Sequence, residues 1–115
     1  MSPHRPSIDV QPLESAVRYG LFPDQPQVLW DYLSISNEVA QSQPEHDRHA
    51  IHLRVFRTLM DAICDSCVAQ HWRYQCLDQI YRPLAKISRL AKSQQQTRQA
   101  RRLYHEMTTL SRYFL

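Results

Sequence analysis

The chain has 115 residues, 43% hydrophobic and 22% charged, with a single glycine, Gly20. Those values belong to one folded domain, exclude whole-chain disorder, and leave almost no room for Gly-rich phosphate loops or glycine-hinged lids. The formal charge of +3 conceals a split: residues 1–71 carry 5 Lys/Arg against 9 Asp/Glu, while residues 72–115 carry 9 Lys/Arg against 2 Asp/Glu.

Isoleucine, valine and threonine total 16 and are scattered, which argues against a sheet protein. The apolar spacing instead predicts an all-α bundle of four to five helices. Residues 1–11 read as a flexible polar N-terminal arm, because Pro3, Pro6 and Pro12 deny regular pairing. The rest, 12–115, reads as a single helical domain. A short helix is predicted over 12–19, with Gly20 at the left-handed position beyond its end. A second starts behind Asp24, with Pro26 in its first turn and Gln27 closing a capping box, and runs to about Gln41. Val28, Tyr32, Ile35 and Val39 mark its apolar face, widened by Leu29 and Leu33.

Ser42 and Glu45 form a second capping-box pattern. The helix behind it shows Leu53, Phe56, Met60, Ile63 and Cys67 on one face. No glycine or proline interrupts the chain from there until Pro83, so 45–82 admits one continuous helix of ~57 Å. A domain this size has a radius of gyration of only ~13 Å. Either the chain bends around Gln70–Gln75, or a long helix projects toward a partner. Leu77, Ile80, Tyr81, Leu84, Ile87 and Ala91 give the next stripe, with a kink or restart expected at Pro83. Ser93 and Gln96 make a third capping box. The last helix places Ala100, Leu103, Met107, Leu110 and Phe114 on one face.

No stretch approaches the ~18 apolar residues of a membrane span, and no apolar targeting segment opens the chain. The cysteines are Cys64, Cys67 and Cys76, an odd number. Free thiols in a reducing, cytoplasmic compartment follow. Cys64, Cys67, His71 and Cys76 have the donor chemistry of a zinc site. On a helix, however, Cys64, Cys67 and His71 fall within about 60° of each other, on the face that is also the apolar stripe, and Cys76 lies some 120° from Cys64, so the cysteines read as core residues. His46, His49 and His52 stand near a helix start, where imidazolium is disfavoured. They read as solvated or core-rim side chains.

The strongest signal is basic. Arg98, Arg101, Arg102, His105, Thr109 and Arg112 occupy about 100° of the last helix, opposite its apolar face. Arg82, Lys86 and Arg89 make a second stripe on the preceding helix. Twelve of the 14 basic residues are arginine, the side chain that grips phosphate and carboxylate bidentately. The spacing from Arg98 to His105 is similar to the Arg-x4–6-His motif of the HEPN ribonucleases. The resemblance covers eight residues, with Gln99 where that family often has asparagine. It implies Arg98 on the phosphate and His105 on the proton.

No other catalytic spacing and no cofactor motif is present. The expected function is a non-catalytic regulatory or adaptor protein. It would present helical surfaces to an acidic protein partner, itself included as a homodimer. The alternative is a nucleic-acid-binding regulator using the arginine face of 82–112. The two part on whether acids from the first half cover those cations.

Overall fold

Polar groups at helix ends decide where the chain turns. The computed structural model describes residues 9–115, in six helical segments. Residues 1–8, most of the expected arm, lie outside the described residues. The first helix, α1 (Gln11–Tyr19), has Pro12 in its first turn and ends at Gly20 with φ of 58°. Leu21 N–H donates to Ala16 C=O at 3.0 Å, closing the cap. A Cβ on Gly20 would stand 2.8 Å from Val68 Cγ1 and 3.0 Å from Trp72 Cδ1. Glycine is therefore required twice here, by its dihedral and by the close approach of the later chain. Trp72 Nε1 adds a hydrogen bond to Val17 C=O at 2.9 Å, which locks the two segments together.

Helix α2 (Pro26–Gln41) begins and ends where expected, but not through the expected cap. Gln25 is its N-cap and makes no capping side-chain bond, while the Asp24 carboxylate faces His71 Nε2 at 3.0 Å. Helix α3 (Glu45–Ile63) likewise lacks the Ser42 box. Ser42 turns back to Val39 C=O at 2.7 Å, and Arg48 donates to Ala40 and Gln43 carbonyls. Both end the preceding helix rather than start the next.

The continuous 45–82 helix does not form. The chain breaks over 64–69, earlier than Gln70–Gln75, and without glycine or proline. Asp65 is the cause. One carboxylate oxygen accepts the Cys67 N–H at 2.9 Å and the other holds Arg18 at 2.9 Å. A side chain that offers its own backbone a turn, and is itself pinned by α1, outcompetes the helix. Helix α4 (Gln70–Gln79) follows, then α5 (Tyr81–Leu90), separated only by Ile80. Pro83 sits in the first turn of α5, so the restart meets the expectation. Counted as one bent helix, α4 and α5 make this a bundle of five. Helix α6 (Gln94–Phe114) forms its capping box in full: Gln96 N–H donates to Ser93 Oγ at 3.1 Å, and Ser93 N–H donates to Gln96 Oε1 at 3.3 Å.

Helix α3 is the hub. It packs on each of the other five, and His52, Val55, Phe56, Leu59, Met60 and Ile63 are all buried along it. One apolar core joins residues of all six segments, and the Cα radius of gyration is 14.7 Å. The all-α bundle expected from the sequence is the fold.

Candidate functional site

The basic residues of 82–112 come from two helices whose inner faces are spoken for. In α5, Pro83, Leu84 and Ile87 are buried, which turns Arg82, Lys86 and Arg89 outward. In α6, Ala100, Leu103 and Met107 are buried, which leaves Arg98, Arg101, Arg102 and Arg112 exposed. Gln95, Arg98, Arg101 and Arg102 line one shallow depression.

Among the described residues the ion pairs are Arg18–Asp65, Arg54–Glu14, Arg57–Glu106, His71–Asp24 and Lys92–Glu45. None uses any of the seven cations. Only two pairs join the acidic and basic parts of the chain, and they occupy Glu106 and Lys92. The separation of charge in the sequence is thus carried onto the surface and is not cancelled within the chain.

The α5 cations stand beside a groove. Helices α2 and α5 flank α3, each packed on it. Between them lies a groove of about 630 Å³, with Trp30 and Asn37 on the α2 wall, His52 and Val55 on the α3 floor, and Lys86 and Arg89 on the α5 wall. The Arg82 guanidinium carbon lies 4.7 Å from the Trp30 ring centroid and ties the two walls together. Sequence reading found the α5 cations but missed this groove. Its walls belong to segments some fifty residues apart, and no local pattern records that they face each other.

Other expected groupings come apart. Cys67 is exposed on the turn that Asp65 creates, Cys64 is half-buried at the end of α3, and Cys76 is wholly buried in α4. The core reading holds for Cys76 and fails for Cys67, because the helix that would have carried Cys67 inward ends before it. Among the described residues no three His, Cys, Asp or Glu side chains converge as metal ligands. Of the three histidines near the start of α3, His46 is exposed, His49 half-buried and His52 buried. Burial lowers the basicity of His52, helped by the nearby charges of Lys86, Arg48 and His49. Arg98 and His105 share the outer face of α6, about 10 Å apart along its axis.

Arg73 escaped notice as a basic residue with a structural task. It is buried, and its guanidinium donates to Ile63 C=O and Phe114 C=O, each at 2.9 Å. One cation thereby satisfies terminal carbonyls of both α3 and α6.

No described helix is long and apolar enough to cross a membrane. No family model, curated protein or solved structure matches the chain.

Proposed function

We propose that this chain is a small non-catalytic regulatory protein that binds nucleic acid through Arg82, Lys86, Arg89, Arg98, Arg101, Arg102 and Arg112. One observation carries the reading: among the described residues, none of these seven cations has a carboxylate partner. Arg98 to Arg112 spans ~21 Å of helix, a spacing suited to the repeated charge of a polyanion. The three free cysteines support a reducing, cytoplasmic setting.

The test is salt dependence. Binding to duplex DNA should weaken with a log–log slope of about −0.9 per phosphate neutralised. Changing Arg98, Arg101, Arg102 and Arg112 together to Gln should flatten that slope by up to about 3.6 units while leaving the helical signal intact. A wild-type chain with no salt-sensitive affinity for DNA or RNA at low ionic strength removes the reading.

A second reading, an adaptor that meets an acidic protein or its own copy, is favoured by a separate observation. Leu21 and Phe22, beside Tyr19, are 57% and 48% exposed on the turn after α1. Apolar side chains gathered on one turn are the ordinary material of a protein contact.

A further inference from the structure

The groove between α2 and α5 contains two nearly buried polar side chains that the fold leaves unused. His52 and Ser36 are each 5% exposed, and both line the groove. Among the described residues neither makes a side-chain hydrogen bond, yet no fully buried polar side-chain atom lacks a partner. The polar atoms of His52 and Ser36 therefore keep contact with open space. For His52 that space is this groove. Buried polar groups are normally paired; Ser36 also lines a second depression beside Val10 and Arg54, whereas His52 is available to whatever enters the groove.

The surrounding charges indicate the kind of ligand. Arg82, Lys86 and Arg89 stand on one wall without carboxylate partners. Asp31 on the opposite wall accepts from Gln27 Nε2 at 2.8 Å, and Ser34 and Asn37 lie along the same wall. His52, whose basicity is lowered by burial and by the Lys86 charge, offers its ring nitrogens to the groove. A phosphomonoester carries about −1.5 to −2 charges and three acceptor oxygens, which matches the cationic wall better than one carboxylate does. The rest of the groove asks for a ring with polar edges. Trp30, 39% exposed with Arg82 stacked on its ring, gives an aromatic surface at the mouth, Val55 an apolar floor, and Asp31 and Asn37 an acceptor and a mixed amide. A volume of about 630 Å³ lies within the usual range for a small-molecule site.

We infer that the α2–α5 groove is a nucleotide site, with Lys86, Arg89 and His52 on the phosphate and Trp30 and Asp31 on the nucleoside. The nucleotide can be free, or the phosphorylated end of a single strand. The site does not include the α6 arginines, but it shares Lys86 and Arg89 with the proposed nucleic-acid surface, so the α6 variant is what separates the two readings.

Intrinsic fluorescence of the full chain tests it. The two tryptophans are Trp30, at the groove mouth, and Trp72, wholly buried, so a ligand-dependent change reports Trp30. Adenosine 5′-monophosphate should alter the emission saturably. Adenosine and inorganic phosphate should each bind about tenfold more weakly or worse, having lost one half of the contacts. Changing Lys86 and Arg89 together to Gln should weaken the nucleotide by about tenfold or more, with unchanged circular dichroism. A short single-stranded oligonucleotide with a 5′-phosphate separates the sources. If it competes below the concentration needed of free nucleotide, the site takes a strand end; if it fails to compete, the site takes a free nucleotide. The quadruple α6 variant should bind DNA more weakly with the flattened salt slope and keep its nucleotide affinity. The inference is overturned if millimolar nucleotide and the oligonucleotide both leave Trp30 unchanged. It is also overturned if adenosine or phosphate alone binds as well as the nucleotide, or if the α6 variant loses the nucleotide.

Discussion

Cys76 is wholly buried, and burial pushes its thiol up to about 12. Cys64 is also raised, first by burial and then by the Asp61 charge. Cys67 stands exposed on the Asp65 turn. Only the thiolate reacts with an alkylating reagent, and it must be reachable. Iodoacetamide at neutral pH should therefore label Cys67 first, Cys64 more slowly, and Cys76 only when the chain unfolds; peptide mapping by mass spectrometry reads the order. Replacing Cys76 by Ala should cost about 1–2 kcal/mol, as for a small core cavity. The same change at Cys67 should stay within ~0.5 kcal/mol. Equal labelling of Cys67 and Cys76 in the folded protein would contradict the packing of α4.

Among the elements, α6 has its C-terminal end tied down by a buried cation. It is 21 residues long and buries Ala100, Leu103 and Met107; Leu110 and Leu115 pack half-buried against the core, and at its C-terminal end this packing is joined by polar contacts. Arg73 supplies them by donating to Phe114 C=O, while Tyr74 Oη donates to Leu115 C=O at 3.3 Å. Hydrogen bonds from a charged donor contribute about 1.5–3 kcal/mol each. Arg73→Met keeps much of the aliphatic volume and removes both guanidinium bonds. It should lower stability in urea by about 3 kcal/mol. It should also speed amide hydrogen exchange in the last two turns of α6 more than at its start, where the Ser93 box is untouched. Uniform exchange along α6 in this variant would mean that Arg73 does not anchor that end. Gly20 and Trp72 do the same work for α1 and α4, where the absent Cβ lets the two segments close.

At the scale of the whole molecule, the question is association. A projecting helix over 45–82 would have required a partner, and the break at 64–69 removes that reason for a dimer. The exposed turn of Tyr19, Leu21 and Phe22 supplies another. If copies meet there, light scattering at tens of micromolar should give a mass above 13.7 kDa, and Leu21→Ser with Phe22→Ser should return it to the monomer without loss of helical signal. Because the contact is apolar, the assembly should persist in salt concentrated enough to screen the α5–α6 cations. A monomeric wild-type chain at that concentration ends the homodimer reading. An assembly that salt dissolves would instead place the contact on the charged faces.

The fold class and most helix limits were legible because they depend on local chemistry. Apolar residues at helical spacing, Gly20 behind α1, Pro26 and Pro83 in first turns, and the Ser93–Gln96 box act within a few residues of themselves. So too was the placement of the arginines opposite the α6 stripe, which follows from helix geometry alone. The Asp24 and Ser42 caps failed because each side chain found another partner, His71 in one case and Val39 C=O in the other. Tertiary structure alone decided the break at Asp65, which is anchored by Arg18 from 47 residues away. It alone sent Cys67 outward and Arg73 inward, and it alone set Trp30 and His52 across from Lys86. Sequence spacing says which face of a helix a residue occupies; only packing says what that face meets, and with it whether a charge is cancelled or left for a partner.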